Sequence, residues 1–454
     1  MENAAVVHND AIVTLVGFVI VIILLLLLVK NKFHIFLSML IPILFFGFIP
    51  GVNIFAFTEA FEKGFGQTVG GIAVIIILGC IIAEALKHTG AIDTITNTLI
   101  KLVGEKRMPL ALTLSGIVLG VAIFSDVAFV ILNPLVHSSA KIMGVSMGTM
   151  STGLVGSLQL THAMVPPAAG PLAASILIGA DIGKVIIVGG FVCLVGSLAG
   201  WIWGQFIVGP RIDSEPSDEF IGMSDKNEEN GYKAIPVPKA FAPTLIPISL
   251  IALHSIAKLF LSEDNLLRVI LSYVGWPVIA LGLGVCLAFR NIQTEEDRKN
   301  SKTIWVENAL RTSAMILAVT GLGGSLSHIL RGTPAVDFVA EYVVVSGLPS
   351  IFLPFLLGML TNLITGSTTV GVITASALMA PMIGNLGLSP EAAMLAGASG
   401  SVIIKYVNSS YFWVCTSLSR MEVKNALICY GGTTLIGGIV CFSTVYLLWI
   451  AGLI

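Results

Sequence analysis

Long apolar runs, broken by few charges, constrain the fold of this 454-residue chain more than any other feature. Hydrophobic residues make up 56% of the chain and Asp, Glu, Lys and Arg only 11%, whereas soluble globular proteins carry about 25% charged residues. Since one transmembrane helix needs roughly 20 apolar residues, the chain has material for about a dozen spans at its mean hydropathy of +0.95. We therefore predict an all-α polytopic membrane protein.

The ends of the apolar runs and the cysteines exclude several other classes of protein. The first run, 11–29, follows an acidic N-terminus and ends at Lys30 and Lys32, which is the reverse of a signal peptide, so we expect it to remain as a helix. The six cysteines stand singly in apolar runs, without the close pairs of metal sites or disulfide scaffolds. We predict no metal and no cofactor, and the net charge of -2 indicates no nucleic-acid partner.

The distribution of basic residues predicts how the chain crosses the membrane. An external N-terminus places 18 of the 24 Lys and Arg residues in cytoplasmic segments and five outside, with Lys405 in the membrane. This bias is the one expected from the positive-inside rule. The polar, acidic segment 211–240 is then a cytoplasmic linker.

Two halves with matching interruptions flank that linker. Each half holds a 32-residue apolar run, too short for two full spans and suited to a re-entrant hairpin of two half-length helices. Each hairpin is followed by a transmembrane helix broken by polar residues. Because the halves cross the membrane in opposite senses, they form inverted-topology repeats, which are typical of secondary transporters. The predicted units are 1–210, with hairpin 109–140 and broken helix 144–171, and 241–454, with hairpin 349–380 and broken helix 390–414.

The first half places one carboxylate and one histidine at its interruptions. Asp126, next to Ser125, is the sole acid of the first hairpin, and an ionisable residue at such depth costs several kcal/mol unless it is paired or hydrated. We predict that Asp126 binds the coupling proton. Thr161 and His162 precede Pro166-Pro167, whose rings break the helix. A histidine there can bind an anion or relay a proton, and the alternative is a packing role.

The second half supplies hydroxyl, amide and ammonium groups at the equivalent places. Free amides at half-helix N-termini can hold a carboxylate, and Lys405 can pair with it or with Asp126. The alternative is that the hydroxyls mediate helix packing. The predicted substrate-binding residues are Ser125, Thr161, His162, Gly366, Ser367, Thr368, Thr369, Lys405, Asn408 and Ser409.

Four separated motifs resemble the gluconate permease family, which includes gluconate, D-glycerate and D-serine carriers. They are Gly116–Pro134, Thr161-His162 with Pro166–Pro171, Gly366–Val370 and Val407–Trp413. The resemblance covers nearly the whole chain, and it implies a proton-coupled importer of small hydroxy or sugar acids in a bacterial inner membrane. The wider ion transporter superfamily implies an elevator-type fold with scaffold and transport domains, in a homodimer.

Two departures from that family bear on the substrate. Asp126 stands where the family usually has Glu. The family's His-Val-Asn-Asp pattern is here Tyr406-Val407-Asn408-Ser409, and Lys405 occupies a position that is usually uncharged. One histidine and one acid are thus replaced, and a positive charge is added close to the predicted site. The change removes a candidate proton or cation site and favours an anionic substrate.

The sequence therefore predicts a secondary active permease for a small hydroxycarboxylate or sugar acid such as gluconate or glycerate, coupled to protons. One alternative keeps the fold and uses sodium, held by carbonyl and hydroxyl oxygens at the breaks, to import a carboxylate or a D-serine-like amino acid. An intramembrane hydrolase using Ser125, Asp126 and His162 is disfavoured, since Ser125 does not stand in a Gly-x-Ser-x-Gly motif and no His-Glu-x-x-His occurs. A channel is disfavoured because its rings of ligands need a symmetry that two repeats do not provide.

Overall fold

The computed structural model describes residues 7, 8, 10–31, 33–217, 235–331, 333–334, 347–406 and 409–454. Every regular element in these ranges is a helix and none is a strand, which confirms the all-α prediction. The helices of the first half are α1 Ala11–Lys30, α2 Ile35–Phe46, α3 Ile54–His88, α4 Ala91–Val103, α5 Met108–Gly120, α6 Ser125–Met143, α7 Met147–Met164, α8 Ala169–Ile178 and α9 Ile182–Ile202. Those of the second half are α10 Val237–Phe260, α11 Leu266–Val274, α12 Pro277–Phe289, α13 Glu295–Asn300, α14 Ile304–Arg331, α15 Phe352–Thr365, α16 Thr368–Met379, α17 Pro390–Ser401, α18 Ser410–Leu418, α19 Val423–Ala426 and α20 Gly432–Ile450.

Fewer helices can cross a membrane alone than the composition suggests. In the described part, six are long and apolar enough, and α11 with α12, bent by 60° at their junction, makes a seventh. The remaining apolar residues form shorter helices, among them α5, α15 and α16. The estimate of about a dozen spans is therefore too high as a count of long helices, because part of the apolar sequence forms half-length helices. Within the predicted linker, the stretch 218–234 lies outside the described residues.

Helix α3, Ile54–His88, is one continuous helix of 35 residues. Gly64 lies where α3 crosses α14, and a Cβ there would be 2.5 Å from the Gly324 carbonyl oxygen. Gly64 thus permits close packing between two helices.

Each predicted hairpin consists of two helices joined by a short turn. In the first, α5 ends at Gly120 and α6 begins at Ser125. In the second, α15 is terminated by Gly366, which has a positive φ of 70° that favours glycine. Ser367 then caps α16 by accepting a hydrogen bond from the Val370 N–H. Helices α5, α15 and α16 have 12 to 14 residues, less than a full span, whereas α6 has 19.

Each predicted broken helix likewise consists of two helices with an interruption between them. Helix α7 ends at Met164 and α8 begins at Ala169, across the Pro166-Pro167 segment. Helix α17 ends at Ser401 and α18 begins at Ser410, and Lys405 lies between them, outside both helices. Asn408 lies outside the described residues.

The helices pack in two groups. Helices α3, α10, α12 and α14 contact one another, whereas the hairpin helices pack with α7, α9, α17 and α20. The groups meet where α14 contacts α16 and where α9 contacts α10. The division into inverted repeats and the external N-terminus remain predictions.

Candidate functional site

A cavity of about 590 Å³ lies between α14 and the interruptions of the other helix group. Nine of the predicted site residues line it: Ser125, Asp126, His162, Gly366, Ser367, Thr368, Thr369, Lys405 and Ser409. They come from both hairpins and both broken helices, so the fold brings together segments that are more than 200 residues apart in the chain. Their roles in binding remain predictions.

Lys405 is the basic residue of this wall, and it is only 2% exposed. Its Nζ donates hydrogen bonds to Asn362 Oδ1 at 2.7 Å and to the Gly366 carbonyl oxygen at 3.0 Å. Both acceptors are neutral, and no carboxylate forms an ion pair with Lys405 in the described ranges. An ammonium group has three N–H donors, so one remains for a ligand in the cavity.

Asp126 lies in the first turn of α6, at the tip of the first hairpin. One carboxylate oxygen, Oδ1, accepts a hydrogen bond from the Val127 N–H at 3.0 Å. The neighbouring Ser125 hydroxyl donates to the Leu158 carbonyl oxygen at 3.1 Å, which fixes the tip to α7. No basic residue pairs with Asp126 in the described part of the chain, so the predicted alternative of an Asp126–Lys405 salt bridge is not formed here.

His162 and Thr161 occupy different sides of α7. The His162 ring is 7% exposed, lies on the cavity wall and packs against Phe124 with ring centroids 5.1 Å apart. Its Nδ1 is buried without a hydrogen-bond partner among the described residues. Thr161 is fully buried toward α5, and a Cβ on Gly120 would lie 3.1 Å from the Thr161 Cβ. The structure therefore brings His162, but not Thr161, to the cavity.

Helix N-termini supply further positive charge to the cavity. Helix α6 begins at Ser125 and α16 at Thr368, and both residues line the wall, as does Ser409 immediately before α18. The first N–H groups of a helix have no intrahelical acceptor, and the helix dipole is positive at this end. Three such ends around one cavity make it suitable for a carboxylate.

Sequence reasoning missed several residues of the site. Gln159 lies one turn before His162 and lines the cavity, and Tyr411, on the same wall, donates to the Val155 carbonyl oxygen at 3.0 Å. Asn362 lies behind the wall, holds Lys405 and donates to the Ile403 carbonyl oxygen. The available signal was a polar side chain in an apolar helix, four residues before Gly366 for Asn362 and three before His162 for Gln159.

The opposite wall, on α14, has a different character. It presents Met315, Ile316 and Val319 with a single hydroxyl, Thr312. Apart from Thr312, the polar side chains of the described cavity wall belong to the hairpins and broken helices. No cluster of three or more His, Cys, Asp or Glu side chains able to hold a metal occurs in the described ranges.

Comparison with known proteins agrees with this architecture. The Alcanivorax borkumensis YdaH transporter, whose solved structure is described as having an unusual topology, aligns with a TM-score of 0.59. The alignment covers 97% of this chain and 98% of that chain at 14% sequence identity, so it supports the fold alone.

Sequence relatives are considerably closer. An uncharacterized permease of Haemophilus influenzae is 31% identical over 93% of this chain and 90% of its own length. A gluconate permease of Pseudomonas aeruginosa is 28% identical over 93% of both chains. The D-serine transporter DsdX of Escherichia coli K12 is 29% identical over 93% of this chain and 94% of its own. The GntP family permease profile matches residues 11–451. The chain therefore belongs to the GntP family of permeases and is a multi-pass membrane transporter.

Proposed function

We propose that this transporter imports a small hydroxycarboxylate or sugar acid, such as gluconate or glycerate, by proton symport across a bacterial inner membrane. The observation that carries the proposal is Lys405, buried at the cavity with neutral partners and one N–H donor free for a ligand. A buried charge without a counter-ion is costly. A substrate carboxylate would give the Lys405 ammonium a direct ion-pair partner.

The carboxylate would lie between Lys405 and the N-terminus of α16. There the Thr368 and Thr369 N–H groups and the Ser409 hydroxyl add donors without adding charge. Charge-assisted hydrogen bonds of this kind are about twice as strong as neutral ones. These hydrogen bonds would hold the carboxylate of the substrate, and the rest of the substrate would extend toward Asp126 and His162.

Charge balance in the cavity supports proton coupling through Asp126. The wall carries one acid and one lysine, so they balance when both are ionised, and a bound monoanion leaves one uncompensated negative charge. Protonation of Asp126 restores neutrality, and a neutral cavity can move through the membrane at lower electrostatic cost. His162, in the same cavity, could relay the proton.

The two walls support an elevator-type movement. The ligand-holding groups lie on the hairpins and broken helices, whereas α14 presents a mainly apolar face. A transport domain built from the hairpins could slide past such a face without breaking strong contacts to the substrate. We extend the proposal to a scaffold containing α3 and α14, two inverted repeats, an external N-terminus and a homodimer.

Uptake into proteoliposomes tests the coupling residue. With one proton per anion, an inward gradient of one pH unit should drive about tenfold accumulation, because one pH unit and a tenfold concentration ratio are equal in free energy. Asp126→Asn should abolish accumulation and retain exchange of labelled substrate. Asp264→Asn, a matched change at an exposed position, should behave as the wild type. Full accumulation by Asp126→Asn would exclude Asp126 as the coupling group.

The cavity also favours one alternative, a sodium-coupled carboxylate or amino-acid carrier. One acid and one lysine can pair with the ammonium and carboxylate of a zwitterion, and a relative is named as a D-serine transporter. Uptake driven by a sodium gradient at constant pH would support sodium coupling. Uptake of glycerate driven by a pH gradient without sodium would support the proton symporter.

A further inference from the structure

Gln159 lines the cavity but has no role in the proposed transport function. It lies on α7, is 4% exposed, and lines the cavity one turn before His162. Its Nε2 donates a hydrogen bond to the Thr368 hydroxyl, at the first residue of α16. The side chain therefore joins a broken helix of the first half to a hairpin tip of the second.

Only one end of the Gln159 amide is occupied. Its Oε1 accepts no hydrogen bond from the described residues, and it is not among the buried atoms sealed from the cavity. A carbonyl oxygen on a cavity wall that has no protein donor lacks one stabilising hydrogen bond, which a donor group on a bound ligand can form. This acceptor therefore selects for a ligand with a donor at that point.

The hydrogen bond to Thr368 indicates which part of the ligand Gln159 would contact. Thr368 belongs to the N-terminus where the proposed carboxylate binds, so the amide adjoins the substituent next to the carboxylate. A hydroxyl at that carbon can donate to Oε1. An ammonium there is held best by a carboxylate, whereas Gln159 offers only a neutral acceptor and the acid of the wall, Asp126, belongs to the other hairpin.

We propose that Gln159 determines substrate class by accepting a hydrogen bond from the hydroxyl next to the carboxylate, and so favours hydroxy acids over amino acids. This inference rests on the proposed function, because it requires the carboxylate to bind at α16. It assigns the choice between glycerate-like and serine-like substrates to one side chain.

D-Glycerate and D-serine test the proposal, because they differ only in a hydroxyl or an ammonium group at that carbon. Binding of both to the purified protein would be measured by calorimetry at constant pH. The wild type should bind D-glycerate at least tenfold more tightly than D-serine. Gln159→Glu places a carboxylate at the same point and should shift the ratio at least tenfold toward D-serine. Gln293→Glu, the same change at an exposed loop residue, should leave the ratio unchanged.

A second variant, together with the wild type, distinguishes failure of the proposed Gln159 role from failure of the proposed transport function. Gln159→Met removes the acceptor at similar size and should weaken D-glycerate binding about tenfold, a test that stands even if Gln159→Glu does not fold. An unchanged ratio in a folded Gln159 variant, or a wild type that prefers D-serine, would overturn the role of Gln159 alone. A wild type that binds no small acid would overturn the proposed function together with this inference.

Discussion

Replacement of Lys405 is the most direct test of the anion site. Lys405→Met removes the ammonium and keeps an unbranched side chain of similar length in the segment between α17 and α18. Lys405→Gln removes the charge but retains an N–H donor that can reach toward Asn362 and Gly366. A comparison of the two variants separates the effect of charge from that of hydrogen bonding.

The expected magnitude follows from the partners of Lys405. Two of its N–H groups already bond to neutral protein oxygens, so a substrate carboxylate gains one charge-assisted hydrogen bond from the third. Such a bond contributes about 1.5–3 kcal/mol. Its loss should raise the Kd by about 10- to 150-fold, since 1.4 kcal/mol corresponds to a factor of ten. Lys405→Gln should fall at the lower end of this range.

The assay is calorimetric titration of each purified variant with gluconate and D-glycerate, at a temperature below every variant's Tm. Lys184→Met serves as the matched control, because its side chain is exposed on α9 and away from the cavity. Folded Lys405→Met and Lys405→Gln proteins that bind within twofold of the wild type would refute an anion site at Lys405.

Two further predictions concern packing and pH. Gly120→Ala places a Cβ 2.9 Å from the Leu158 carbonyl oxygen. Because such overpacking costs about 1–3 kcal/mol, the Tm of this variant should be lower than that of the wild type. The control is Gly66→Ala, whose Cβ meets open space and should not lower the Tm through a clash. At the turn before α9, burial alone would raise the pKa of the Asp181 carboxyl, but hydrogen bonds, above all from Ser255, hold that pKa below its ordinary value. Because this pKa is lower in the folded than in the unfolded state, the ionised carboxylate stabilises the fold at pH values above the unfolded-state pKa of about 3.9. This stabilisation is lost as the pH falls through the folded-state pKa. Asp181→Asn should therefore have a lower Tm than the wild type at pH 7, and thermal unfolding should show the difference narrowing below about pH 4.

The helix interruptions were predictable because local chemistry determines them. The two prolines at 166–167 break α7 from α8, Gly366 ends α15, and Ser367 caps α16. Each effect involves residues within one or two turns of the break, so a single sequence contains the necessary information. The charged and hydroxyl residues next to those breaks were predicted as site residues for the same reason.

Long-range contacts explain what the sequence did not reveal. Gly64 of α3 permits the approach of Gly324 on α14, which lies 260 residues away in the chain. Gln159 and Asn362 each gain their position from a partner on another helix, Thr368 and Lys405. Helix propensity and hydrophobic pattern describe one segment at a time and do not identify such partners.

The apolar face of α14 has a consequence for inhibition. A small acid held at Lys405 and extended by an alkyl chain would lay that chain along Met315, Ile316 and Val319. Each buried methylene contributes about 0.8 kcal/mol, so three of them could tighten binding by roughly 50-fold. Because that added affinity comes from the wall past which the hairpins are proposed to slide, such a compound would act as a blocker rather than as cargo. Alkylated hydroxy acids of increasing length are thus a rational series of competitive inhibitors.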